Sequence, residues 1–111
     1  MSVTITVSNE IAQHLDGLSF GESAGVDEKL HNLLKAEYQR RLARYRLTDR
    51  QLTSKYNMDF ASFETQQMTK QLDYSWEVES DAMAWETAVD GIQTMQEQLR
   101  LLESQGRSSE A

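Results

Sequence analysis

Residues 26–47, VDEKLHNLLKAEYQRRLARYRL, contain no Gly or Pro and dictate what the rest of the chain must do. Leu30, Leu33, Leu34, Tyr38, Leu42 and Tyr45 recur at helical spacing, so one side of a helix is apolar. Asp27 and Glu28 stand at its positive end, and Glu37 precedes Arg41 by four residues, the favourable order for a helical ion pair. At 1.5 Å per residue the helix is roughly 30 Å long. A stripe of that length needs a partner, either from its own chain or from a second copy.

Composition sharpens that need. Hydrophobic residues make up 39% of the 111, a low share for a small chain that must bury its own core. Cys is absent, which removes disulfides and thiolate metal sites. No apolar run approaches a membrane span and no signal-peptide pattern is present, so a cytoplasmic protein is expected. Charge is divided unevenly. Residues 1–56 hold eight Lys/Arg against seven acids, or +1, and residues 57–111 hold three against eleven, or −8, together the net −7. The asymmetry points to different partners at the two ends.

Residues 2–7 alternate, with Val3, Ile5 and Val7 on one side and Ser2, Thr4 and Thr6 on the other. The pattern predicts a short, half-buried strand. No second strand of similar quality follows, so it is expected to pair with its twin across a dimer. A short helix is predicted from about Asn9 to Leu18, capped by Ser8 or Asn9, with a Gly-punctuated loop, SFGESAG, after it. Thr48 with Gln51 forms a capping-box pattern, and Leu47 with Leu52 is placed as a hydrophobic staple, so the long helix should end or bend there. Asn57-Met58-Asp59 is the next break, with Asp59 capping a helix from Phe60 to about Leu72. Residues 73–80, DYSWEVES, lack a period and suggest a linker. Ser80 and Asp81 then open a last helix that runs to about Ser104 and stops near Gly106, with a polar, disordered tail from Arg107. Its apolar positions, Trp85, Ala88, Ile92, Met95, Leu99 and Leu102, repeat as a heptad seam.

The predicted class is therefore mainly α, with one short N-terminal β-strand and four or so helices. Residues 1–47 are expected to form a dimerisation and DNA-binding module, 48–72 a helical connector, 73–80 a linker, and 81–111 an acidic amphipathic helix with its disordered tail. Catalysis has little support. His14 and His31 stand in no catalytic motif, the Gly-rich loop lacks Walker spacing, and Glu77, Glu79, Asp81 and Glu86 have no Gly-centred turn to order them around a cation. No enzyme, metal or cofactor is expected. A helix-turn-helix over residues 49–70 is disfavoured, because its second helix carries one base, Lys70, against one acid, Glu64.

The order of strand, short helix, loop and longer helix, in VTITVSNEIAQHLDGL followed by VDEKLHNLLK, resembles the ribbon-helix-helix DNA-binding module. It departs from that module at Ser8, where Pro is frequent, and in lacking Arg, Lys or Gln on the ribbon. The whole layout, with KYNMDFASFE and SWEVESDAMAWETA downstream, resembles small prokaryotic antitoxins of toxin–antitoxin pairs. The resemblance implies a homodimer that binds operator DNA, represses its own operon, and neutralises a small basic toxin with its acidic C-terminal helix. On that reading Ser2, Thr4 and Thr6 face the DNA groove, and Lys29, Lys35, Arg40 and Arg41 contact phosphates. Trp76, Trp85, Val89, Ile92, Met95 and Leu99 bind the partner, unless Trp85 and its heptad neighbours pack on the protein's own long helix, which the sequence allows equally. The alternative is a helical homodimeric scaffold, joined through residues 26–47 and 81–104, that never touches DNA.

Overall fold

The computed structural model describes residues 2–18 and 25–110. Five helices follow one another: α1 (Asn9–Gly17), α2 (Val26–Tyr56), α3 (Phe60–Thr65), α4 (Met68–Gln71) and α5 (Trp76–Glu110). Residues 19–24 of the expected Gly-rich loop lie outside the described residues. The chain is elongated, 58 × 32 × 24 Å, with a radius of gyration of 19.9 Å. A compact chain of this length would give about 13 Å.

The length comes from a hairpin of the two long helices. Lys55 Nζ reaches Asp81 Oδ2 at 2.6 Å, Trp85 Nε1 reaches Asp49 Oδ1 at 2.8 Å, and Lys35 Nζ reaches Glu103 Oε1 at 2.8 Å. As numbers fall along α2 they rise along α5, so the helices run antiparallel. The apolar stripe of α2 thus finds its partner in its own chain. Leu42 and Leu52 are buried there, while Leu33 and Leu34 of the expected stripe remain exposed.

The core is concentrated where α2 turns toward α5. Leu52, Phe63, Val78 and Trp85 are buried together, with Tyr56, Met58, Phe60 and Met68 packed around them. Trp85 has no exposed surface. Its ring lies 5.1 Å from Phe63, 5.4 Å from Phe60 and 5.9 Å from Tyr56, centroid to centroid. An indole buried to this extent contributes roughly 4–6 kcal/mol of hydrophobic stabilisation. Farther along the hairpin the core narrows to Leu42, Ala88 and Met95. Gly91 marks a close approach. A Cβ built on it would fall 2.5 Å from Cδ2 and Cε2 of Tyr45, so only a residue without a side chain lets that ring lie against α5.

The structure corrects several sequence expectations. No strand occurs among the described residues. Residues 2–8 carry no regular structure, and Val3 and Ile5 are 86% and 73% exposed. Alternating β-branched residues favour an extended backbone, but a ladder also needs a second strand, and the chain supplies none. The dimeric ribbon-helix-helix arrangement is lost with it. Helix α1 does form, capped by Ser8, whose Oγ accepts from the Ile11 N–H at 3.3 Å, but it buries no residue.

Helix α2 runs through Thr48 without a break. The Thr48 hydroxyl donates to the Arg44 carbonyl, the bonding of a mid-helix Thr. Leu52 is buried against α5 while Leu47 stays 49% exposed, so tertiary packing overrides the capping pattern. The break at residues 57–59 forms as expected. Asn57 adopts a left-handed conformation, the Met58 N–H donates to the Thr53 carbonyl at 3.3 Å, and Asp59 accepts from the Ser62 N–H at 2.8 Å. The helix expected over 60–72 is divided in two by Gln67, at φ 51°.

Helix α5 begins at Trp76, inside the stretch expected to be a linker. Ser75 is its cap, accepting from the Val78 N–H at 3.2 Å. At the other end the helix passes Gly106 and reaches Glu110, through the residues expected to form a disordered tail.

Candidate protein-interaction surface

Helical geometry gives α5 two faces. Val78, Trp85, Ala88, Ile92, Met95 and Leu99 share the face toward α2. Trp85, Ala88 and Met95 are buried there, Ile92 and Leu99 are half-buried, and Val89 packs on the aromatic core. The expected partner-binding residues therefore separate. Trp85, Val89, Ile92, Met95 and Leu99 line the hairpin seam, and Trp85 is fully enclosed by its own chain. Only Trp76 of that group stands free, at 82% exposure.

The opposite face of α5 carries Trp76, Glu79, Met83, Glu86 and Asp90, at steps of three, four, three and four. All five are exposed, Met83 at 70%. Among the described residues, none of Glu79, Glu86 and Asp90 enters an ion pair. The signal was present in the sequence, because Trp76 and Met83 are seven residues apart and so lie above one another on a helix. The heptad through Trp85 is stronger and concealed it.

Beside this face lies an open groove of about 550 Å³. Phe60, Phe63, Met68, Ala82 and Met83 give it apolar walls, and Glu64, Glu86, Lys70 and Tyr74 add polar groups. Backbone turns at Gln67, Asp73 and Tyr74, all with positive φ, fold α4 back beside α5 and so shape the groove. Exposed Leu72 and Tyr74 extend the apolar surface.

A polar clasp holds the same end of the hairpin. Lys55 Nζ bridges Glu77 and Asp81 at 2.6 Å each, and the Tyr56 hydroxyl donates to Asp81 at 2.6 Å. Burial and the Asp81 carboxylate push the Tyr56 phenol up to about 12. Hydrogen bonds to Asp81 and Glu77 raise the Lys55 ammonium above its ordinary range. Burial alone would raise Asp81, but the bonds from Lys55 and Tyr56 outweigh it and hold the carboxyl below its ordinary value.

The residues expected to contact DNA do not gather into a charged surface. Ser2, Thr4 and Thr6 are exposed on an unpaired segment. Lys29 donates to the Asp16 carbonyl at 3.3 Å, and Lys35 pairs with Glu103. Arg40 and Arg41 both bind Glu37, and their hydrogen bonds lower that carboxyl to about 2. Each of these four cations is thus engaged by its own chain.

No three His, Asp or Glu side chains among the described residues are placed to share a metal ion. No described helix is long and apolar enough to cross a membrane. No family model matches the chain, and neither curated proteins nor solved structures give a significant match.

Proposed function

We propose that this chain is an antitoxin-type binding protein of the cytoplasm, which captures a small basic protein on the outer face of α5. The observation that carries the reading is Trp76 and Met83, two large apolar side chains left exposed on a helix whose other large apolar residues are buried or half-buried, set among the unpaired carboxylates Glu79, Glu86 and Asp90. Solvent-exposed aromatic and Met side chains are typical interface anchors. Acids around them speed encounter with a cationic partner, while the anchors slow dissociation. The −8 charge of residues 57–111 extends the same attraction. Operator binding forms no part of this proposal, because the ribbon is missing and the expected cations are internally paired.

The test is to identify the protein encoded beside this one, which the reading requires to be small and basic, and to titrate it calorimetrically. Saturable binding that weakens with salt is expected, with a marked loss in a Glu79→Lys, Glu86→Lys, Asp90→Lys variant. A folded wild-type chain that does not bind a basic neighbour, or a triple variant with unchanged affinity, would refute the reading.

A second reading rests on a different observation. Val3, Ile5, Val7, Ile11, Val26, Leu33 and Leu34 are exposed at the opposite end of the molecule. A helical scaffold that self-associates there would cover them. Light scattering decides it: a mass of 12.8 kDa at micromolar concentration excludes that dimer, and twice that mass supports it.

A further inference from the structure

We infer that the groove between α3–α4 and α5 receives a cationic amphipathic helix of the partner, apolar side first, with its Lys or Arg side chains against Glu64 and Glu86. This rests on the reading of α5 as a surface for a basic protein and specifies where and how that protein docks. Three observations select the occupant. The groove is open and flanked by helices α3, α4 and α5, which suits a helical segment better than an enclosed small molecule. Its apolar residues, Phe60, Met68 and Met83, offer ring and thioether surfaces that adapt to aliphatic side chains. Carboxylates outnumber cations in its lining. Glu64 and Glu86 line it, neither enters an ion pair among the described residues, and Glu79 continues the acidic edge along α5, against the single cation Lys70.

An acidic helix would be repelled there, and a wholly apolar one would leave both carboxylates facing unpaired surface. A Lys or Arg beside each carboxylate satisfies them while its aliphatic stem adds to the apolar contact. Trp76 lies on the same face of α5 as Met83, so a helix lying along α5 would also cover the indole.

The two tryptophans make the event observable, because Trp76 is 82% exposed and Trp85 is wholly buried. The probes are three amidated synthetic helices. One is amphipathic with Leu and Lys, one has the same Leu pattern with Glu in place of Lys, and one has the same Lys pattern with Ser in place of Leu. Only the first is expected to bind the full chain, with a saturable blue shift of tryptophan emission that Trp76→Phe abolishes. Met83→Ser, at an exposed position that leaves the fold intact, should weaken it about tenfold, a change of ~1.4 kcal/mol. Glu64→Gln with Glu86→Gln should remove most of the salt dependence. Binding of the Lys/Ser helix with equal affinity would overturn the groove in favour of unspecific charge attraction. An emission shift produced by raising protein concentration alone would assign the groove to a second copy and overturn this occupant.

The protein encoded beside this one separates docking in the groove from capture on α5. If it binds the wild-type chain and Met83→Ser equally, and the Leu/Lys helix does not compete, the groove inference fails while the proposed function stands. If the Leu/Lys helix behaves as expected and the neighbour does not bind, the proposed function fails and the groove stands.

Discussion

The indole N–H of Trp85 donates to the carboxylate of Asp49 across the hairpin at 2.8 Å, so the most buried side chain of α5 is fixed in register by a half-buried acid of α2. Trp85→Ala is expected to cost roughly 3–5 kcal/mol of stability, because it empties the centre of the aromatic core. Trp85→Phe keeps a ring but leaves Asp49 without that donor, a smaller loss of about 1–3 kcal/mol. Urea denaturation of the free protein checks both. Unchanged midpoints would mean that Trp85 does not hold the hairpin together.

Gly91 predicts an inverted substitution effect. Ala in place of a mid-helix Gly ordinarily stabilises by roughly 0.5–1 kcal/mol. Here the added Cβ meets the Tyr45 ring at 2.5 Å, so Gly91→Ala should lower the melting temperature, with an overpacking cost of about 1–3 kcal/mol. Combining it with Tyr45→Ala relieves the clash. The double variant should be more stable than the sum of the single changes implies. Additive behaviour would contradict the close approach.

The clasp at the turn end should loosen in alkali. Tyr56 and Lys55 are both shifted upward, so the folded chain holds their protons more tightly than the unfolded chain does. The Tyr56 contribution is complete below about pH 10, the ordinary tyrosine value, and is lost as pH climbs through about 12, while that of Lys55 persists to higher pH. Denaturation midpoints should therefore fall between those values, and Tyr56→Phe should flatten part of the fall. Absorbance near 295 nm, which follows phenolate formation, should show one late-titrating tyrosine that the variant lacks.

Trp76→Ala and Met83→Ser test the exposed face without disturbing the fold. Each side chain is mostly in solvent, so stability should change by less than about 0.5 kcal/mol. Partner affinity should nevertheless drop by roughly 1–2 kcal/mol per variant if these residues are anchors. A drop in melting temperature without a change in affinity would assign them to internal packing.

The two long helices, the break at residues 57–59 and the seam from Trp85 were legible because each rests on a repeated or capped pattern within one segment. What failed depended on partners elsewhere in space. The alternation of Val3, Ile5 and Val7 defines a face and leaves open whether another strand is there to meet it. Thr48 and Gln51 match a helix start, but burying Leu42 and Leu52 along one continuous α2 prevailed. Ser75 and Ser80 are equally good caps on paper, and Val78 in the core selects Ser75. The positive φ angles at Gln67, Asp73 and Tyr74 use residues other than Gly, so nothing in the sequence marked the turns that build the groove. The outer stripe through Trp76 and Met83 was legible only in part, with Trp76 among the expected partner-binding residues but grouped with Trp85. Trp85 supplied a more obvious aromatic anchor, and sequence alone does not say which of two tryptophans faces the protein's own core.

The narrowing of the core from the rings around Trp85 to Leu42 and Met95 has a kinetic consequence. Opening of a helical pair begins where least apolar surface must be uncovered, so fraying starts at residues 26–35 and 99–105 and advances toward the aromatic end. Ile92 and Leu99 thus become fully accessible only in a partly unzipped molecule, whereas Trp76 and Met83 are largely accessible from the outset. A slow binding phase would report access to the first pair, and a fast, salt-sensitive phase capture by the second.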